Sequence, residues 1–359
     1  MGEAQPRVFK VLVINPGSTS TKVALYAGNE TRAEENLSHS GALLAQYTEV
    51  LDQFEFRLDA VQAFVERTGA VRELDAVVGR GGLLRPVAGG TYLVNAAMES
   101  DLTQGLQGQH ASNLGGLLAK AVADPLCLPA FVVDPVSVDE FEPIARISGH
   151  PLIERRCLSH ALSMKAVARR ASDELNIPYA ESNMVVAHLG GGISVSPMVG
   201  GRIIDVNNAN EMGPFSPERT GGLPSGDLAA LCFSGMVNAS DMRRQIAGQG
   251  GMVAYLGTFD AREAYRRADA GEPHAQLVLS AMAYQIAKEI GAMATVLAGK
   301  VDAIVLTGGL ANSSRICDTI AGYVKFIAPL FIYGGEDEML ALAAGALRVL
   351  ADLEGLKVY

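Results

Sequence analysis

Two turns in this chain combine residue types that could hold an anion. The first is NPGSTSTK, Asn15–Lys22, between the β-type runs Val11–Ile14 and Thr21–Tyr26. It reads as a six-residue turn, Asn15 to Ser20, in which every residue but Pro16 offers a backbone N–H. Ser18, Thr19 and Ser20 add hydroxyl donors. The second is HLGGGISV, His188–Val195, where Gly190, Gly191 and Gly192 stand between two strand-like runs. Backbone without Cβ atoms comes close to a ligand, and successive N–H groups can point at phosphate oxygens. A tight turn explains a single glycine pair. Three consecutive glycines framed by strands, answered by a hydroxyl-rich turn elsewhere, favour phosphate binding. A third turn, VDAIVLTGGLANSSR (Val301–Arg315), runs an apolar strand into Gly308-Gly309 and then toward a helix near Ser313 or Ser314. Capping accounts for those two serines. The bare backbone at Gly308 and Gly309, with Asn312, suits a nucleoside.

Charged and imidazole groups gather around such turns. Arg80 lies in VVGRGGLL at a strand end with glycine on both sides, where it has no apolar packing role. His188 ends a strand just before Gly190. Asp134 follows the apolar run AFVV and precedes Pro135, a strand-end acid that is also a turn initiator. His110, in GQHASN, reads equally as a substrate-pocket residue or as a polar group at a helix N-terminus. His160 starts an alternation of apolar positions in a helix-like run, as a core histidine would. Asp260 is a nucleoside candidate and equally the N-cap of AREAYRRA. Glu336, Asp337 and Glu338 open the last helix, where acids also complement the helix dipole.

These groups need elements to carry them. Strand-like runs fall at Phe9–Ile14, Lys22–Tyr26, Asp75–Gly79, Ala130–Asp134, Met184–His188, Ile193–Val199, Arg202–Val206 and Ala303–Thr307. Helix-like runs fall near Leu43–Arg67, Ala111–Ala123, Ile153–Leu175, His274–Ala298, Ser314–Ile327 and Glu338–Asp352, among others. The mixture predicts an α/β protein. The strand, polar turn, strand pattern at Val11–Tyr26 recurs at Val185–Val206, which predicts two copies of one βββ-plus-helices unit facing a cleft. The expected division is 1–150 for the first lobe, with 338–359 packing back on it, and 151–337 for the second.

Bulk properties exclude several classes. The 359 residues are 49% hydrophobic and 19% charged, so a large core is available and disorder is disfavoured. A net charge of −10 argues against general nucleic-acid binding. The four cysteines form no C-x-x-C motif, which leaves zinc and redox motifs unsupported and fits free thiols in a reducing compartment. No apolar N-terminal segment reads as a signal peptide, and the apolar helices near Leu277–Ala298 and Met339–Ala351 carry charges that disfavour membrane spans. A cytoplasmic enzyme is expected. GSTSTK is not a Walker A loop, and GGGISV supplies only part of a dinucleotide fingerprint and is followed by a strand.

The stretches VLVINPGSTSTK, VVGRGGLLRPVAGGTYLV, FVVDPVSVDEF, RRCLSHALSMKAVARR, VVAHLGGGISV, DVNNANEMGPFSPERTGGLPSGDL, IVLTGGLANS and GEDEMLALAAGALRVL span nearly the whole chain. Together they resemble the acetate/butyrate kinase family, most of all its butyrate kinase branch, within the acetate and sugar kinase, Hsp70 and actin superfamily. The resemblance implies two duplicated lobes of the actin-like ATPase (ribonuclease H-like) fold. It also implies phosphoryl transfer between ATP and a short carboxylic acid, with Mg²⁺. A carboxylate must then approach a phosphate of like sign, a repulsion of about 4 kcal/mol at about 4 Å and an effective dielectric near 20. Cations must offset it.

By this resemblance, Arg80 holds the substrate carboxylate or the phosphoryl group, His188 steadies the phosphoryl, Asp134 lies near magnesium, and His160 orients its neighbours. His110 is carried as a substrate contact. Asn15, Ser18, Ser20 and Lys22 line the γ-phosphate side, with Lys22 able to face either way along its strand. Asn15 and Glu338 are the metal candidates. The chain departs from acetate kinases at Pro224, where they carry arginine, and at Leu158 and Ser159, where they carry an FHG segment. Arg219 is the replacement cation, and both departures point to an acid longer than acetate. The resemblance further implies a homo-oligomer and lobe closure on substrate. A non-enzymatic nucleotide switch is the alternative of a different class.

Overall fold

The computed structural model describes residues 7–69, 71, 73–335 and 337–359. Contacts divide the chain into two units, Met1–Asp139 with Asp337–Tyr359, and Glu140–Glu336. The boundary thus falls at Asp139 rather than at 150, and residues 140–150 belong with the second unit.

In the first unit, β1 (Lys10–Pro16), β2 (Ser20–Ala27) and β3 (Glu30–Ser38) form an antiparallel meander. β4 (Ala76–Arg80) and β6 (Ala130–Val133) then add to β1 in parallel, and β5 (Thr91–Leu93) pairs with β6 antiparallel. β1, β4 and β6 are near-continuous apolar runs, as central strands covered on both faces must be. β3 is exposed along most of its length, an edge strand rich in charge.

The second unit opens with a small exposed hairpin, β7 (Ile147–His150) and β8 (Ile153–Glu154). The helix expected from Ile153 starts instead at Ala161. The delay has a cause: Arg155 is tied to Asp205 at 2.7 and 3.3 Å and to the Ala145 carbonyl, which holds the approach to the helix extended. β9 (Asn183–Leu189), β10 (Ile193–Val199) and the short β11 (Arg202–Ile203) form an antiparallel meander. β12 (Ala303–Gly308) and β13 (Leu330–Gly334) add to β9 in parallel. β14 (Lys357–Val358), in the final segment that belongs to the first unit, pairs with β5 in parallel within that unit's sheet.

The order β3-β2-β1-β4-β6 in one sheet matches β11-β10-β9-β12-β13 in the other, with the same strand directions. The repeat hinted at by the two turns is a true duplication of topology. The long helix Pro273–Val296 lays Met282, Ile286, Ile290 and Met293 into the second unit's core.

Backbone packs directly on backbone beneath the first unit's strand ends. A Cβ on Gly79 would stand 2.0 Å from the Gly115 carbonyl oxygen, and one on Gly115 would stand 2.2 Å from that of Arg80. The two glycines let the helix Asn113–Ala123 sit against β4. Gly79→Ala is expected to cost about 3 kcal/mol, because no flexible side chain can yield. Gly322→Ala, in a helix with open space around it, should be neutral or stabilising. Urea unfolding of the two variants checks the contrast.

Candidate functional site

The first unit's candidate residues are aligned by sheet register. Ile14 pairs with Gly79, and Arg80 pairs with Val133. Asn15, Arg80 and Asp134 therefore stand at the carboxyl ends of three adjacent parallel strands, where such sheets present ligand groups.

Glu338 joins two of them. Its Oε2 accepts from Asn15 Nδ2 at 2.9 Å, and its Oε1 pairs with Arg80 Nη2 at 3.2 Å. Its neighbour Asp337 is occupied differently, as the helix N-cap accepting from the Leu340 N–H at 2.9 Å. Glu336 lies outside the described residues. Arg80 is 8% exposed, and its Nη1 is buried without a hydrogen-bond partner. Leaving a charged donor unmet in the interior is costly, and an arriving anion would satisfy it.

Asp134 is held in the left-handed region at φ 38°, which is unfavourable for a non-glycine residue. Its Oδ1 accepts from the Gly90 N–H at 2.7 Å, and its own N–H donates to the Gly90 carbonyl at 3.0 Å. His110 Nδ1 lies 2.7 Å from Ser112 Oγ and accepts from the Ser112 N–H at 3.2 Å, just before the helix Asn113–Ala123. The local polar role at a helix start is thus met, and the neighbouring Arg80 charge is also felt at the ring.

The opening hairpin is tighter than its sequence suggests. Pro16 pairs with Thr21, and the Gly17 N–H closes on the Ser20 carbonyl at 2.8 Å. The loop is Gly17–Thr19 instead of the expected six residues, because Asn15, Pro16 and Ser20 are absorbed into strands. Ser18 and Thr19 are exposed. Lys22 is exposed and opposite Asn15 in register, so the two side chains share a face.

The other face holds a group that the sequence reading passed over. Arg57 is fully buried, and its Nη1 donates to Thr21 Oγ1 at 2.9 Å and to the Ser20 carbonyl at 3.1 Å. Thr21 Oγ1 also lies 2.9 Å from His39 Nε2. The signal was present: Val61 and Phe64 follow Arg57 at i+4 and i+7 and are buried, so Arg57 shares their stripe.

In the second unit, Gly190–Gly192 joins β9 to β10 as expected, with the Gly190 N–H closing on the Gly192 carbonyl at 3.1 Å. Arg219 lies over this turn: a Cβ on Gly192 would meet its Nη1 at 2.1 Å. Its Nη1 donates to the Ala209 carbonyl at 3.0 Å. Ser216 Oγ donates to the Gly191 carbonyl at 2.5 Å, and Glu218 also borders Gly191. Neither Ser216 nor Glu218 was singled out from the sequence. The imidazoles of His160 and His188 stack, with centroids 3.9 Å apart and an 11° interplanar angle. His160 Nδ1 is 3.0 Å from Ser194 Oγ, and Ser194 is the register partner of His188. His160 thus packs on His188 and contacts the register partner of His188.

Gly308 is at φ 89°, and a Cβ there would stand 2.5 Å from the Leu189 carbonyl, so β12 ends against the residue that follows His188. Gly309 and Asn312 form the next short turn, with Asn312 Nδ2 donating to the Gly309 carbonyl. Asp260 is the N-cap of the helix Ala261–Asp269, accepting from the Arg262 N–H and pairing with the Arg262 guanidinium at 2.8 Å.

Residues 148–330 match the acetokinase family. A probable butyrate kinase 2 of Caldanaerobacter subterraneus subsp. tengcongensis is 53% identical over 98% of this chain and 100% of its own length. A butyrate kinase 2 of Clostridium acetobutylicum is 51% identical over 98% of this chain and 99% of its own. The chain belongs to the acetokinase family. The acetate kinase of Porphyromonas gingivalis superposes with a TM-score of 0.76 at 18% identity, covering 95% of this chain and 100% of that one. The duplicated sheets of this chain are the α/β actin-like ATPase fold. Members of the acetokinase family are carboxylate kinases, as the resemblance implied. No helix among the described residues is long and apolar enough to cross a membrane.

Two histidines are expected to make the stability of the chain depend on pH. His39 is held below its ordinary pKa of 6.5 by burial and then by the Arg57 charge. His110 is lowered by burial and then by the Arg80 charge. Both bind protons more weakly folded than unfolded, so stability is fully present above about pH 6.5 and falls as pH drops below it. Melting temperatures from pH 8 to 5 should show that decline, and His39→Gln should flatten it.

Proposed function

We propose that this chain transfers the γ-phosphoryl group of ATP to a four-carbon carboxylic acid, butyrate or a branched acid such as isobutyrate, giving an acyl phosphate and ADP. The observation that carries it is the Asn15–Glu338–Arg80 group at the strand ends, with one buried guanidinium nitrogen of Arg80 left open to an anion. The length-spanning identity to two butyrate kinases supports the choice of acid.

In the in-line step, a carboxylate oxygen forms a bond to phosphorus as the bond to the ADP oxygen breaks. The attacking group is already ionised, so no general base is required. Arg80 takes the charge of the incoming carboxylate or of the transferring phosphoryl group. His188, steadied by His160, donates to the phosphoryl oxygens. Asp134 orients groups at the strand ends. The Gly190–Gly192 backbone with Arg219, and the hairpin residues Asn15, Ser18, Ser20 and Lys22, hold phosphate oxygens. Gly308, Gly309 and Asn312 take the nucleoside. His110 borders the acid.

The donor set fits Mg²⁺. That ion accepts one or two protein oxygens and fills its octahedron with water and phosphate. Glu338 offers one carboxylate and Asn15 one amide oxygen, and no group of three or more His, Cys, Asp and Glu gathers among the described residues. When bound, the ion would offset charge on the phosphates. The reverse direction makes ATP.

Initial rates with Mg-ATP and linear and branched acids of two to six carbons test the proposal. A maximum at four carbons is expected. A maximum at two or three carbons would select an acetate or propionate kinase, and nucleotide binding without carboxylate-dependent turnover would select a nucleotide switch.

A further inference from the structure

We propose that Arg57 is a positioning residue that fixes the Gly17–Thr19 turn from behind and supplies it with a permanent positive charge toward the γ-phosphate. The inference rests on the assignment of that turn to the γ-phosphate side under the proposed function.

Three observations carry it. Arg57 is 0% exposed, and its polar partners are all neutral: Gln53 Oε1, which accepts from Nε and Nη2 at 3.1 and 2.8 Å, the Ser20 carbonyl and Thr21 Oγ1. No carboxylate among the described residues pairs with it. A buried charge without a counter-charge is costly, and replacing one by an apolar side chain of similar volume is often neutral or stabilising. Packing alone therefore gives no reason for this cation.

Second, the guanidinium grips the turn's own backbone. The Ser20 carbonyl that accepts from Arg57 is the one that accepts the Gly17 N–H and closes the loop. Moving Arg57 would move the N–H groups of Ser18 and Thr19. Third, Thr21 relays the position. Its Oγ1 accepts from Arg57 and is hydrogen-bonded to His39 Nε2 at 2.9 Å. His39 packs edge-on against Phe56 at 4.9 Å, which fixes the far end of the relay. Asn15 and Lys22 occupy the opposite face of the hairpin, so Arg57 charges the side of the turn that they do not.

The test is calorimetric binding of Mg-ATP and Mg-ADP, without acid, to the full chain and to Arg57→Gln and Arg57→Lys. Arg57→Gln should weaken ATP about tenfold and ADP by no more than about twofold, and Arg57→Lys, which keeps the charge, should restore most of the ATP loss. A merely structural role would weaken both nucleotides together. The proposal is overturned if ATP and ADP weaken equally in Arg57→Gln, or if Arg57→Lys loses as much ATP affinity as Arg57→Gln. If Arg57→Gln does not fold, Arg57→Met, uncharged and of similar volume, takes its place: a loss of ATP affinity about tenfold larger than the loss of ADP affinity supports the proposal, and equal losses overturn it. Failure of the kinase proposal is read separately, as an unsubstituted chain that binds ATP without turning over any acid.

Discussion

Arg80→Gln is expected to lower kcat about a thousandfold, a loss of about 4 kcal/mol of transition-state stabilisation. The size follows from the setting. Arg80 ends a buried parallel strand, is 8% exposed, and spends one guanidinium nitrogen on Glu338. A second nitrogen, Nη1, is buried with no hydrogen-bond partner. In a site shielded from water, a fixed cation is worth far more than at the surface and needs no reorganisation during the step. Gln keeps some hydrogen bonding and removes the charge. Arg80→Lys keeps the charge as a point and loses the fork, so about a hundredfold loss is expected. Steady-state kinetics at saturating acid and ATP separate these effects from binding. A kcat for Arg80→Gln within tenfold of the unsubstituted chain, in a folded protein, would remove Arg80 from the chemistry.

Glu338→Gln should raise the Mg²⁺ concentration for half-maximal rate about a hundredfold. The carboxylate is the only charged member of the pair Asn15 and Glu338, and a neutral amide binds a hard cation poorly. The neighbouring acid supplies the control. Asp337 caps the final helix through the Leu340 N–H, and Asn caps as well as Asp. Asp337→Asn should therefore leave the Mg²⁺ dependence unchanged. An equal shift in the two variants would mean that charge at the helix start, rather than Glu338 itself, governs the metal.

The sequence made some of this plain and hid the rest for physical reasons. β1, β6, β9 and β12 are buried on both faces, so they had to be apolar runs, and they were visible as such. β3 was invisible because its nine residues are mostly exposed and bury no stripe that a pattern could reveal. β13 was missed for a different reason: its LFIY run is strand-like but only five residues long with Gly334, too short to show a period.

In the site, the glycine triplet and Arg80 stood out because no packing role explains them. The helix start alone suited Glu336, Asp337 and Glu338 equally, and only the resemblance favoured Glu338. The coordinates show what pattern could not: Asp337 caps the helix, and Glu338 reaches Asn15 and Arg80. The cap formed by Asp260 is likewise visible only there. Arg57 was overlooked because a charged residue in an amphipathic helix is presumed to face solvent. The residues Val61, Phe64 and Val65 on its stripe argued the other way.

The central claim is that this chain moves a phosphoryl group between a nucleotide and a four-carbon acid. It is tested most directly by mixing the chain with Mg²⁺, ADP and acyl phosphates of two to six carbons and measuring ATP. ATP should form fastest from butyryl or isobutyryl phosphate. Formation from none of them, or fastest from acetyl phosphate, would contradict the claim.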